Sequence, residues 1–389
     1  MRILFYQHQY PAFGGIETVT TLLANRFAQD GHAVKIVSFL AKDGTSLLSK
    51  LHEGVRWERL PEEFPDATRN QGRLQQILAE FVPDYIIFQD SYAPIDGLLF
   101  SVVRGRVPVC VVEHSMPRVA FECSINFGSM RSFIKSSVIR LMSPYFRRKR
   151  AAVVRGRRRM LYQAATKYIF LSDRYIDMSN KIAGVFDCDK LEVIPNPVKP
   201  RCTDPVLADK IQEVLFCGSL IRCKGVDRLI EIWSAIEAIH PEWLFRIVGD
   251  GPLRGVLEKK VMALGLRNVR FEGGRTDVEC YYHRAAILLM ASDFEGWPMV
   301  IGEAMQQGCV PVVYDSFAAV NDMIDSGVNG IVVSHFNKKS YVFNLNRLMS
   351  DPQLLMRMQN SAIRKAESFR IDAIAKRWYR LLLPFKGVI

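Results

Sequence analysis

Short apolar runs of strand length alternate with longer helix-patterned stretches along the whole chain, and the alternation begins twice. A parallel strand is reached only through a crossover, so this rhythm is the signature of parallel sheets flanked by helices. In the first half, strands are expected at Arg2–Gln7, Ala33–Phe39, Tyr85–Gln89, Val107–Glu113 and Tyr168–Leu171, with a helix over Glu17–Asp30. The run Val193-Ile194-Pro195-Asn196-Pro197-Val198 closes that half, because two prolines within three residues continue neither a sheet nor a helix. A polar, proline-containing linker at Lys199–Asp209 follows. The second half restarts with strands at Glu213–Cys217, Trp243–Val248, Val269–Phe271, Ile287–Met290 and Val310–Val313. Helices are expected over Val226–Ile239, to about Leu264, near Val278–Ala285 and from Pro298. At 389 residues the chain exceeds one ordinary core. The expectation is α/β, with two facing doubly wound domains at 1–198 and 199–370 and a terminal helix at 371–389 packing back on the first. Ligands of such sheets bind beyond the carboxyl ends of strands.

Composition narrows the class. Apolar residues make up 49 % of the chain and the mean hydropathy is +0.04, values of a globular protein rather than a disordered one. The longest apolar runs, such as Gly97 to Val103, end at charges well short of the ~20 residues of a spanning helix. The apolar start is only strand-length before it turns polar at Gln7-His8-Gln9, unlike a secretory signal. Eight cysteines are scattered with no Cys-x-x-Cys pair, as expected of reduced thiols in a cytosol. Seven histidines are dispersed and form no metal-ligand pattern.

Three segments carry chemistry. Gly14-Gly15 lies between the first strand and the first helix, where glycines let backbone amides approach an anion. By itself it reads equally as a tight turn. Gly218-Ser219-Leu220-Ile221-Arg222-Cys223-Lys224-Gly225 is a second such turn bearing two cations, suited to a diphosphate leaving group whose negative charge grows as a sugar bond breaks. Taken alone, it reads more readily as an exposed basic loop. The third runs from Ser292 to Met305: Glu295 precedes Pro298, which suits a first helical turn, and Glu303 follows within that helix. A carboxylate accepts hydrogen bonds from two vicinal hydroxyls, so Glu303 suits a ribose and Glu295 a sugar.

Taken in order, Gly14-Gly15, His114 after a strand, Gly218 through Lys224-Gly225, Gly249-Asp250-Gly251-Pro252, and Glu295 through Glu303 resemble the family 4 retaining glycosyltransferases of bacterial surface-polysaccharide biosynthesis. The resemblance covers nearly the whole chain and is strongest from Leu215 to Val333. It implies the GT-B fold of two Rossmann-like domains with a central cleft. It also implies transfer of a sugar, with retention of configuration, from a nucleotide-sugar donor to a lipid-linked or glycan acceptor, with no obligatory metal; since the sequence assigns no carboxylate as a covalent nucleophile, direct same-face displacement is expected. By position, His114 would touch the transferred sugar, Lys224 the diphosphate, Glu303 the ribose and Glu295 the donor sugar. Gly14, Gly15, Gly218, Ser219, Arg222, Gly249, Asp250, Gly296, Trp297, Met299 and Val300 would complete the donor site. Many relatives carry arginine where this chain has Ser219, and Arg222 is the candidate replacement. Both UDP and GDP donors stay open, because the base would be read largely by backbone around Gly273–Asp277. Two other readings stay open: a GT-B sugar-nucleotide epimerase, and a non-catalytic nucleotide-sugar-binding member of an assembly pathway.

The net charge of +12 has a location. Cys123 to Ser172 contains no Asp or Glu and holds twelve of the 52 Lys and Arg; the 40 left match the 40 acids elsewhere. Within 131–159, apolar residues recur at helix-like intervals between Arg131, Lys135, Arg140, Arg147, Arg148, Lys149 and Arg150, as on a helix lying in a membrane interface. Each cation near an anionic leaflet contributes about 1 kcal/mol. The expectation is a cytoplasmic protein held peripherally on the inner face of the cell membrane. A solvated basic surface is the plainer alternative, and no nucleic-acid-binding motif accompanies the charge.

Overall fold

The computed structural model describes residues 1–12, 14–42, 47–64, 67–89, 95–117, 137–184 and 188–383; for 137–147, 150, 183 and 188 it describes the backbone only. The chain divides into two compact units, Met1–Pro197 with Ile374–Ile389, and Val198–Ala373.

The first unit runs β1 (Arg2–Gln9), α1 (Gly15–Gln29), β2 (Ala33–Leu40), β3 (Val55–Arg59), α2 (Thr68–Phe81), β4 (Tyr85–Phe88), α3 (Asp96–Val103), β5 (Val109–Glu113), α4 (Ser137–Ala164), β6 (Lys167–Phe170), α5 (Asp173–Ala183) and β7 (Leu191–Val193). Its strands pair in parallel in the order β3-β2-β1-β4-β5-β6-β7. Ile3, Leu4, Phe5 and Tyr6 of β1 are all fully buried, as a strand covered on both faces must be. On α1, Val19, Leu23 and Phe27 recur every fourth residue and form the face turned to the core.

The second unit runs β8 (Ile211–Cys217), α6 (Val226–Trp233), β9 (Leu244–Val248), α7 (Arg254–Ala263), β10 (Val269–Gly273), α8 (Glu279–Arg284), β11 (Ala285–Met290), α9 (Met299–Gln306), β12 (Val310–Tyr314), α10 (Val320–Met323), β13 (Ile331–Val333), α11 (Lys338–Ser350) and α12 (Pro352–Ala366). The sheet order is β10-β9-β8-β11-β12-β13, again parallel, so the strand order reverses between β8 and β11. Such a reversal opens a crevice beyond the strand ends, and the candidate residues follow those two strands.

The last helix, α13 (Ile371–Leu382), buries Ile374, Ala375, Trp378, Leu381 and Leu382 on one face. From Ile374 onward it belongs to the first unit. There the Tyr379 hydroxyl donates to Asp30, and the Tyr85 hydroxyl donates to the Leu382 carbonyl.

Strands β3, β7 and β13 were not anticipated. β3 reads Val-Arg-Trp-Glu-Arg and lies at a sheet edge, where charged residues alternate with apolar ones. The other two are three residues each, too short for a periodic signal. The helix expected to reach Ile239 stops at Trp233 and tightens into turns ahead of Pro241.

The acid-free segment is not uniformly a surface. Arg131 and Lys135 lie outside the described residues, and only the backbones of Arg140, Arg147 and Arg150 are described, within α4. Arg148 and Lys149 are exposed. Further along the helix Arg155 and Arg159 are exposed, whereas Arg157 and Arg158 turn inward. Arg157 pairs with Asp96 at 2.6 Å, and buried Arg158 pairs with buried Glu113 at 2.7 Å. The Tyr168 hydroxyl also donates to Glu113, at 2.5 Å. The carboxyl-terminal part of α4 is therefore tied by internal ion pairs to α3 and to strand β5.

Candidate active site

The second unit assembles most of the candidate residues from turns that follow strand ends. After β8 the chain turns at Gly218, whose amide bonds to Val248 at the end of β9; Gly249, after β9, bonds to Gly273 in turn. Leu220 donates to the Asp250 carbonyl at 2.9 Å, and the Asp250 carboxylate accepts the Gly251 amide at 2.8 Å. Ser219 and Arg222 stand exposed on this turn.

The turn ends in a single helical turn, Arg222–Lys224, and then Gly225 at φ +64°. A Cβ at Gly225 would lie 2.1 Å from the Ala291 carbonyl oxygen, so only glycine lets this backbone close on the loop after β11. That loop is joined to it a second time, by the Asp293 amide donating to the Cys223 carbonyl at 2.7 Å. The closure brings the Lys224 ammonium to 2.6 Å from the Glu295 carboxylate, with both side chains partly open to solvent. Arg228, one turn into α6, donates to the Ala291 carbonyl at 2.6 Å and pairs with Asp293. Its guanidinium lies 4.3 Å over the Phe336 ring.

Pro298 caps α9, leaving Met299 and Val300 as its first residues, whose amides have no carbonyl one turn earlier. Gly296 lies in the loop ahead of the cap, and Trp297 is buried with its ring edge-on to Phe369. Glu303, within α9, is almost fully buried. One of its oxygens accepts the Tyr282 hydroxyl at 3.2 Å, and the other lies 3.7 Å from the Lys199 ammonium. Burial pushes the neighbouring Cys217 thiol, at the end of β8, up to about 11.

In the first unit, Gly14 caps α1 and Gly15 opens it, following β1. His114 follows β5, and its Nε2 lies 2.5 Å from the Gln89 side-chain oxygen at the end of β4. With the Gln89 amide assigned in this orientation its oxygen accepts, which gives Nε2 the hydrogen and Nδ1 the lone pair. Among the described residues nothing bonds to Nδ1, and burial lowers the histidine's pKa to about 3.

Four partners were missed in the sequence: Gln89 on His114, Lys199 and Tyr282 on Glu303, and the Arg228–Asp293 pair. None of these partnerships has a local signal in the sequence. Among the described residues no group of three His, Cys, Asp or Glu is placed to hold a metal ion, and no helix is long and apolar enough to cross a membrane.

Comparison with known proteins gives these features a family. The model described as Glycosyltransferase Family 4 matches residues 13–201, and that described as Glycosyl transferases group 1 matches 204–365. An uncharacterized glycosyltransferase of Haemophilus influenzae is 24 % identical over 98 % of this chain and 99 % of its own. A Campylobacter jejuni enzyme is 26 % identical over 96 % of each chain; its name describes an α-1,4-N-acetyl-D-galactosaminyltransferase acting on a glycan-diphosphate-undecaprenol. The solved structure of Anabaena HepE with UDP and glucose superposes with a TM-score of 0.76 at 17 % identity, covering 99 % of this chain and 100 % of the other. The two parallel α/β units are those of the GT-B fold, and the protein is a glycosyltransferase. It belongs to glycosyltransferase family 4.

The His114 environment makes a prediction. The unfolded histidine takes a proton near pH 6.5 and the folded one only near about 3, so this site withdraws stability as the pH falls below 6.5 and leaves it untouched above. The imidazole signals assigned to His114 by NMR are expected to stay flat from about pH 7 down to about pH 5. A titration centred near the ordinary histidine value contradicts the buried neutral ring.

Proposed function

We propose that this enzyme is a retaining glycosyltransferase that moves a sugar from a UDP- or GDP-linked donor to a lipid-linked or surface-polysaccharide acceptor. One observation carries the donor half of this reading. The Lys224–Glu295 pair and buried Glu303 arise from different elements, yet all follow the two strands where the second sheet reverses its order. In the reaction the bond between the sugar's C1 and the diphosphate oxygen breaks, and its electron pair stays with the diphosphate. The acceptor hydroxyl oxygen bonds to C1 on the same face and gives up its proton, which the departing diphosphate can take. Lys224 stabilises the growing negative charge, assisted by amides of the Gly218 turn and the start of α9. Glu295 accepts hydrogen bonds from the donor sugar, and Glu303 accepts them from the ribose hydroxyls. His114, neutral and fixed by Gln89, is assigned to the transferred sugar. The reading gives the electrostatic role to these groups and needs no metal.

The acceptor class rests on two supports. The Campylobacter relative's name specifies a diphosphate-undecaprenol-linked glycan. The acid-free segment adds exposed Arg148 and Lys149 on α4, suited to an anionic leaflet and to a peripheral position on the cytoplasmic face of the membrane.

Lys224→Ala and Glu295→Ala are each expected to lower kcat/KM by about 10²-fold or more, with circular dichroism unchanged. Full turnover in both variants overturns the site assignment. For the surface, the intact protein is expected to sediment with phosphatidylglycerol vesicles in a salt-sensitive way. The combined substitution of Arg147, Arg148, Lys149 and Arg150 by Ala should release it. A wild-type protein that ignores such vesicles contradicts the membrane part alone.

A further inference from the structure

A nucleoside diphosphate brings at least two negative charges to a site whose motif supplies one placed lysine. Ser219, exposed on the turn after β8, carries no charge, so a second cation for the diphosphate would come from elsewhere. Arg228 is engaged by the Ala291 carbonyl, Asp293 and the Phe336 ring. Arg222 is exposed, and among the described residues no side-chain contact holds it.

Lys199 is differently placed. The backbone on either side of it is fixed: the Val198 amide donates to the Phe369 carbonyl at 2.8 Å, and the Lys199 carbonyl accepts Gln306 of α9 at 3.0 Å. Val198 packs so closely on α9 that a Cβ at Gly302 would stand 2.3 Å from its Cγ1, and Glu303 is the next residue. The ammonium itself is 48 % exposed and lies 3.7 Å from Glu303, too far for a hydrogen bond. It is therefore a cation on a fixed stem, loosely paired beside the ribose carboxylate. The Cys217 thiol at the end of β8 feels the positive charge of both Lys199 and Lys224, so both ammonium groups lie near that strand end.

Accepting Glu303 as the ribose group of the proposed donor site, we propose that Lys199 is the second cation of that site and binds a phosphate of the donor nucleotide. Ribose hydroxyls donating to Glu303 replace the lysine there. The ammonium then turns to the phosphate carried on the same ribose ring. Glu303 and Lys199 thus read the two ends of one nucleoside phosphate, while Lys224 holds the diphosphate from the Gly218 turn.

Calorimetric titration with UDP and GDP, and ligand-observed NMR with uridine and guanosine, test this on the full chain. For the nucleotide that binds, Lys199→Ala is expected to raise Kd about tenfold and to weaken the salt dependence, and Lys199→Arg to restore most of the affinity. Binding of the matching nucleoside, which has no phosphate, should stay unchanged. Equal loss for nucleotide and nucleoside overturns the proposal, because Lys199 would then only order Glu303. Unchanged nucleotide affinity in Lys199→Ala also overturns it, and a loss in Arg222→Ala would transfer the role to Arg222. A wild-type protein that binds neither UDP nor GDP removes the donor reading itself, and this assignment with it.

Discussion

The close approach of Gly225 to the Ala291 carbonyl is the contact on which the candidate site depends. Two loops that leave the sheet on either side of its reversal are brought together there, and no side chain can fit between them. The approach is held by the Asp293–Cys223 backbone bond and by Arg228, which reaches the same carbonyl. Lys224 and Glu295, 71 residues apart in the chain, meet as a consequence. A long lysine side chain would otherwise lose considerable rotamer entropy to hold one position, and the fixed carboxylate limits what remains to be ordered when a ligand arrives.

Charge follows the same economy of placement. The surplus positive charge lies in one acid-free stretch, yet that stretch has two physical roles. Arg157 and Arg158 enter the first unit and pair with the buried carboxylates of Asp96 and Glu113, so each charge taken from water has an opposite one beside it. Glu113 immediately precedes His114, so the ion pair also fixes the strand end from which the histidine emerges. Arg148 and Lys149, earlier on the same helix, remain at the surface.

Much of this was legible in the sequence, for identifiable reasons. The central strands are continuous apolar runs, and glycines or Pro298 mark the turns after them, so the parallel α/β architecture could be read locally; Lys224, Glu295 and Glu303 were singled out only by the order of motifs along the whole chain. Edge strand β3 was hidden because its charges mimic a loop, and β13 because three residues carry no period. Partnerships between distant segments were not legible. Nothing near Lys199 in sequence announces that it ends beside Glu303, nor near Gln89 that it orients His114. These contacts exist only once the sheet order sets which loops are neighbours. Gly302 is the one local trace of such a meeting, and its meaning appears only with Val198 against it.

The most direct test of the donor site is a crystal structure of the protein with UDP or GDP bound. The account predicts the diphosphate on Lys224 and the Gly218 turn, with the ribose hydroxyls on Glu303. A nucleotide lying away from the ends of β8 and β11, with Lys224 and Glu303 untouched, would contradict it.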